Sequence, residues 1–197
     1  MALIRHLVIF GRLPRLGTGK KRLAAEIGPV AALCVQRSML NRLIRTLGHH
    51  RSWRTHLAMT PNGEGLRVRG LPVLDQGRGD LGEKMARVAR RLPPGPVVII
   101  GTDAPDVRPG HIAHAFKQLG DKDAVFGPAR DGGYWLVGLK RRPAFYDPFR
   151  HVRWSTAHAL QDTLNNLDGR RVALLATLED IDDGAALRRF RARGRAA

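Results

Sequence analysis

Short apolar runs alternate with amphipathic stretches along this chain, and the alternation sets out its elements. Leu3-Ile4-Arg5-His6-Leu7-Val8-Ile9-Phe10 reads as a buried strand that stops at Gly11. A loop rich in Gly, Pro and basic residues follows and ends near Lys20. Pro29 opens a helix at the position where its missing N–H costs nothing. Leu33, Leu40, Ile44 and Leu47 mark one face of that helix, and Gly48 is its stop. Trp53 to Met59 is a second strand, closed by Pro61-Asn62-Gly63. Residues from Gly63 to Gly79 are loop-like, with a short strand at Val73-Leu74. Asp80 caps a helix that runs to about Arg91, ended by Pro93-Pro94-Gly95-Pro96. Val97-Val98-Ile99-Ile100 is short, β-branched and continuous, as a strand covered on both faces should be.

The second half repeats the rhythm. Pro109 begins a helix ending near Gly120. Ala124-Val125-Phe126 and Tyr134-Trp135-Leu136-Val137-Gly138 are strands around a turn at Asp131-Gly132-Gly133. Trp154-Ser155-Thr156 starts a helix to about Leu167, with Ser155 as N-cap. Val172 to Leu175 is a last core strand, and a terminal helix covers Gly184 to Arg193. Strands alternating with helices predict a three-layer α/β/α sandwich on a mostly parallel sheet. The pair around Asp131 breaks the alternation and implies one antiparallel strand. No repeat or long linker divides the chain, so residues 1–197 are expected to form one domain. Ligands of such sheets bind beyond the carboxyl ends of the strands. That rule points at the loops after Phe10, Ile100 and Phe126.

Composition changes this picture little. The hydrophobic fraction is 43% and the charged fraction 26%, both ordinary for a globular protein. Cys34 is the single cysteine, which excludes an internal disulfide. Its apolar helical setting makes it a small core residue. No run approaches the roughly 18 apolar residues that a membrane span needs. The N-terminus lacks a signal-peptide layout, so the cytoplasm is the expected compartment. The net charge of +17 is unusual, and 28 of the 34 basic residues are arginine. The arginines are spread along the chain, with modest clusters at Arg141-Arg142, Arg170-Arg171 and from Arg188 to Arg195. Aromatics at 6% are too few for a stacking platform, so no specific nucleic-acid partner is expected.

Four segments carry candidate chemistry. Gly11-Arg12-Leu13-Pro14-Arg15-Leu16-Gly17-Thr18-Gly19-Lys20-Lys21-Arg22 carries three glycines and ends in three cations. Its N–H groups can cradle phosphate oxygens while Lys and Arg neutralise them. Its spacing fits neither a Walker A loop nor the GxGxxG fingerprint, and a flexible basic turn would look the same. Gly101-Thr102-Asp103-Ala104-Pro105-Asp106 places two carboxylates at a strand end, where a hard cation can bind. Asp106 serves equally well as a cap. Asp131-Gly132-Gly133 is also ordinary hairpin chemistry. Glu179-Asp180-Ile181-Asp182-Asp183 puts four acids in five residues, facing either a metal, nearby arginines or solvent. The eight histidines show no metal-ligand spacing: His49-His50 reads as exposed loop, and His111 and His114 lack a third partner.

Together these segments resemble a known family. They are similar to bacterial glycosyltransferase-like proteins of the radical-SAM/selenodomain-associated transferase type. That group is related to 2-phospho-lactate guanylyltransferase and the molybdenum-cofactor nucleotidyltransferases. The family pattern is a strand, then Phe-x-Lys-x-Pro-x-x-Gly-x-x-Lys-Thr-Arg-Leu. Phe10, Pro14, Gly17, Lys20, Arg22 and Leu23 match it, while Arg12 replaces the first lysine and Lys21 the threonine. The first change keeps the charge and the second removes a hydroxyl. The likeness continues through Gln76 to Met85, including Gly82, and through Gly101 to Asp106, where the family often has cysteine at Ala104. It extends to Gly127 to Tyr134, Trp154-Ser155-Thr156 and Asp180-Ile181-Asp182.

The resemblance implies a nucleotide-diphospho-sugar transferase fold of the GT-A type. It implies that Gly11, Arg12, Gly17, Lys20, Arg22, Gly82 and Thr102 bind the nucleotide, and that Gly132, Gly133 and Tyr134 lie toward sugar or acceptor. Asp103 would be a catalytic, metal-binding acid, Asp182 a second ligand to Mg2+ or Mn2+, and Asp131 a general base or a turn residue. The expected activity is metal-dependent glycosyl transfer from a nucleotide-sugar to a small acceptor. Nucleotidyl transfer from an NTP to a small phosphorylated acceptor is the alternative. A third is an inert protein that binds nucleotide or RNA. A homodimer is left open.

Overall fold

In a computed structural model, residues 3–61, 68 and 70–195 are described, for 194 and 195 the backbone alone. Asn62 and Gly63, expected to close the second strand, and most of the loop after them lie outside the described residues. The elements in chain order are β1 His6–Arg12, α1 Lys21–Ile27, α2 Pro29–Leu47, β2 Arg54–Thr60, β3 Val73–Leu74, α3 Leu81–Arg91 and β4 Val97–Ile100. They continue with α4 Pro109–Gln118, β5 Ala124–Pro128, β6 Tyr134–Leu139, α5 Ala159–Asn165, β7 Val172–Leu174 and α6 Gly184–Arg195.

The strands form one seven-stranded sheet in the order β3-β2-β1-β4-β6-β5-β7. β1 runs parallel to β2 and β4, and β5 parallel to β7. β6 alone is antiparallel, to β4 on one side and β5 on the other. The break in alternation around Asp131 therefore marks the reversed strand, as its hairpin spacing implied. Strand residues point alternately to opposite faces. Leu7 and Ile9 pack with Leu40, Leu43 and Leu47 of α2 and Ile112, Ala115 and Phe116 of α4. Val8 and Phe10 pack with Met85, Val88 and Ala89 of α3 on the other face. A third cluster, Leu23, Ala32, Met39, Ile181 and Leu187, ties α1 to α2 and to α6.

α3 begins where Asp80 was expected to cap it. The Asp80 carboxylate accepts from Glu83 N at 2.8 Å, and the Glu83 carboxylate accepts from Asp80 N at 3.0 Å.

Five expectations are corrected. β1 begins only at His6, and Leu3 and Ile4 are exposed. Lys21–Ile27 is a short helix that the basic composition of its start concealed. Cys34 is exposed on α2, because the buried stripe of that helix passes through Ala32, Met39, Leu40 and Leu43. Ser155 is not an N-cap: its φ is 61°, and α5 starts four residues later with His158 before it. β7 lies at the sheet edge rather than in its core, with Leu174 58% exposed.

Candidate functional site

β1 and β4 are neighbours whose chains leave in different directions, and such a junction opens a crevice at the carboxyl edge of the sheet. A cavity of about 1000 Å3 lies there. Its walls include Gly11, Arg12, Gly19, Lys20 and Arg22 from β1 and the segment after it, and Thr102 and Asp103 after β4. Asp131, Gly133 and Tyr134 come from the β5–β6 turn, and Asp180 and Asp182 from the segment before α6. Gly17, Gly82 and Gly132 are not in the wall.

Backbone conformation explains how the first loop enters the cavity. Gly17 and Gly19 have φ of 75° and 70°, a region glycine adopts freely. Lys20 follows at φ 36°, left-handed without being glycine. The turn sends its side chain inward, where it is only 6% exposed. Its Nζ lies 2.7 Å from Asp103 Oδ1 and 3.2 Å from Asp182 Oδ1, and it donates to the Ile181 carbonyl. Arg22 meets Asp182 Oδ2 at 3.3 Å but is 71% exposed. Ile181 N donates to Asp103 O at 2.9 Å, fixing the acidic segment against the end of β4.

At the strand ends the backbones sit close. A Cβ on Gly11 would come within 2.8 Å of the Thr102 side chain. Buried Gln76 donates to Gly11 O at 2.9 Å and to Ala58 O at 2.7 Å, satisfying two carbonyls at once. Gly82 acts by packing: a Cβ there would meet Phe149 and the Trp154 ring, each at 2.7 Å.

The turn between β5 and β6 is held by its own aspartate, since Asp131 Oδ1 accepts from Gly133 N at 2.9 Å. Gly132 has φ 87° and faces the Ala157 backbone, and its carbonyl accepts from Leu160 N at 3.0 Å. Tyr134 packs edge-on against Phe126 and Trp154, with ring centroids 5.2 and 6.4 Å away. Burial pushes its phenol well above the usual range.

The acidic segment divides its labour. Asp182 faces Lys20, while Glu179 pairs with Arg189 and Arg193 and those arginines hold its carboxyl low. Asp183 accepts from Ala186 N at 2.8 Å in the first turn of α6. In the sequence Asp180 stands out only as part of the acidic run and not as a site residue in its own right. One of its oxygens is buried without a hydrogen-bond partner. Burial, then the charges of Asp103, Asp131 and Asp182, push its carboxyl up to about 7. The signal was the alternation Asp180-Ile181-Asp182: Ile181 is buried among α1, α2 and α6, so both flanking acids turn toward the cavity. Gln76, Lys84, Trp154 and Thr156 also line the cavity, and their segments lay inside the recognised pattern.

Asp106 stands apart. It pairs with Arg193 at 3.1 Å, and Arg108 rather than Asp106 is the residue before α4. The His111 ring accepts from N-cap Arg108 N, and His114 bonds Gln118 within α4.

Several carboxylates converging on one cavity are the oxygen donor set that Mg2+ or Mn2+ takes, usually with one or two carboxylates, waters and substrate phosphates. Asp103 and Asp182, 48% and 38% exposed, fit that use. They form no ready-made cage: among the described residues no group of three or more His, Cys, Asp or Glu has metal-holding geometry.

The same architecture occurs in known proteins. A structure from Desulfovibrio desulfuricans G20, provisionally assigned as a nucleotide-diphospho-sugar transferase, superposes with a TM-score of 0.84 at 25% identity, covering 91% of this chain and 82% of that one. The 4-diphosphocytidyl-2C-methyl-D-erythritol synthase of Anaerococcus prevotii DSM 20548 has a TM-score of 0.65 at 11% identity, with 98% and 96% covered. Rv0371C of Mycobacterium tuberculosis H37Rv, in a complex with manganese, has a TM-score of 0.51 at 17% identity, with 95% and 97% covered. No curated protein matches the chain. The sheet order and the cavity at its carboxyl edge thus define the nucleotide-diphospho-sugar transferase fold. Within it, the chain belongs to the family described as "Uncharacterized protein conserved in bacteria (DUF2064)", whose model matches residues 43–156.

Proposed function

We propose that this protein is a transferase that takes a nucleotide-sugar, with a divalent cation on Asp103 and Asp182, and passes the sugar to a small uncharged acceptor. The observation that carries this reading is the charge division of the cavity. β1, the loop after it, α1 and α3 supply every Lys and Arg in the wall: Arg12, Lys20, Arg22 and Lys84. The β5–β6 turn and residues 154–157 supply Asp131, Tyr134, Trp154, Ser155 and Thr156 and no cation. In a chain of net charge +17, a wall without cations suits hydroxyl groups better than a phosphorylated acceptor. Arg153, adjacent in sequence, is spent on Asp162 at 2.7 and 2.9 Å.

The residues then take these roles. The first loop and Thr102 bind the donor's nucleotide and phosphates, with Arg12 and Arg22 neutralising charge. The free Oδ2 of Asp131 removes the acceptor hydroxyl proton. The acceptor oxygen bonds to the anomeric carbon as the bond from that carbon to the phosphate oxygen breaks, and the electron pair leaves with the nucleoside diphosphate. A bound Mg2+ or Mn2+ supplies charge neutralisation of that leaving group. The Tyr134–Trp154 aromatic wall keeps water from the anomeric carbon.

A thermal-shift panel of NTPs and nucleotide-sugars, with and without Mn2+, tests this. A ligand at 100 times its Kd stabilises by about 2.7 kcal/mol. Stabilisation by a nucleotide-sugar that needs Mn2+, and its loss in a folded Asp103→Asn protein, is the expected result. Full metal-dependent binding in D103N would sink the assignment. Pyrophosphate release from an NTP would replace glycosyl by nucleotidyl transfer.

A further inference from the structure

We propose that Lys20 is a resident counter-ion of the Asp103–Asp182 pair, and that a divalent cation enters by displacing its ammonium group. The inference rests on the metal-dependent reading above and adds a mechanism by which metal and nucleotide binding reinforce each other.

Lys20 is satisfied before any ligand arrives. An ammonium group has three donors and no acceptor. Here it donates to Asp182 Oδ1 and to the Ile181 carbonyl and forms an ion pair with Asp103 Oδ1 at 2.7 Å. Both carboxylates line the cavity and are partly exposed, so the lysine sits on an oxygen of each that a metal ion would use. A second cation on the same oxygens stands against the first. Like charges at such proximity repel, the more so away from bulk water. The two cations therefore compete for the pair.

The exchange is confined to the side chain. The Lys20 carbonyl accepts from Ala24 N at 2.9 Å and so anchors the first turn of α1. Ile181 N is fixed to Asp103 O, which holds the two carboxylates in place. The four-carbon stem has rotatable bonds that the backbone contacts leave unconstrained, and Lys20 lines the cavity with Gly19 and Arg22. Once displaced, the ammonium swings toward the space that the donor's phosphates take. Metal entry therefore delivers a cation to the phosphates, and a bound phosphate lowers the cost of metal entry. Without metal, Lys20 offsets the negative charge of Asp103 and Asp182.

Calorimetric titration of Mn2+ alone into the ligand-free, full-length protein tests the exchange, with Lys20→Met and Lys20→Gln as variants and unfolding temperature as a second readout. The expected result is Mn2+ affinity at least about ten-fold tighter in both variants, equivalent to about 1.4 kcal/mol. Their metal-free unfolding temperature should fall, and Mn2+ should raise it more than in the unaltered protein. Adding Asp103→Asn to K20M should abolish the gain. Equal or weaker Mn2+ binding in K20M and K20Q overturns the exchange but leaves the metal site standing. Failure of Mn2+ to bind any of the three proteins overturns both.

Discussion

His6 and His56 face each other inside the sheet, with His6 Nδ1 and His56 Nε2 at 3.2 Å and their other ring nitrogens buried without partners. Burial is the main cause that lowers both to about 4, helped for His6 by His56, Arg141 and Arg54 and for His56 by Arg54. The folded state therefore keeps these rings neutral, whereas the unfolded chain protonates them near 6.5. The unfolded state binds more protons below that value, so stability is complete above pH 6.5 and declines as pH falls toward 4. Each ring contributes at most on the order of 3 kcal/mol to that decline. Urea midpoints between pH 7.5 and 4.5 should fall more steeply in the unaltered protein than in His56→Gln, which removes one titration; parallel slopes would show that the rings are not the cause. At this same scale the sequence was legible where chemistry sits at a strand end: Asp103, Lys20 and Asp131 all line the cavity. It placed Asp180 and Gln76 in the right segments without giving either a role of its own, because those roles come from burial and from carbonyls supplied by distant segments.

Among the elements, α3 shows how local chemistry and site geometry meet. Its capping box satisfies the N-terminal donors, and its first turn brings Lys84 to the cavity. Asp80→Ala should cost about 1 kcal/mol of stability, read as a lower denaturant midpoint at unchanged slope. Gly82→Ala should do more: the added methyl presses on Phe149 and Trp154, a contact worth about 1–3 kcal/mol of overpacking. Because Trp154 lines the cavity, its fluorescence should shift in the same variant, and an unperturbed emission spectrum would count against this packing. The helix after Asp80 was legible because cap, amphipathic face and proline stop agree. The start of α5 was not. Trp154 to Thr156 looks like a helix start, yet Ser155 lies at φ 61° and Thr156 bonds the Arg153 carbonyl, contacts set by a turn facing Gly132. α1 was missed because cations at its N-terminus oppose the helix dipole, and packing of Leu23 beneath α2 and α6 overrides that cost.

For the molecule as a whole, net charge is the dominant electrostatic fact. At +17 the folded state repels itself, and its exposed ion pairs each return little. Raising ionic strength from about 0.01 M to about 0.15 M shortens the screening length from about 30 Å to about 8 Å. The unfolding temperature should then rise by about 2–4 °C, the response to roughly 1 kcal/mol in a chain of this size; a fall would mean that the ion pairs outweigh the repulsion. None of the helices among the described residues is long and apolar enough to cross a membrane. The contact between Lys20 and Asp182 spans 162 positions of sequence. Synthesis therefore makes the lysine long before its carboxylate partner. Until the segment around Asp182 has left the ribosome, the nascent chain carries one half of the pair without the other. All seven strands precede Asp182 in the chain, so an emerging polypeptide can assemble its sheet while Lys20 still lacks one of its two carboxylate partners.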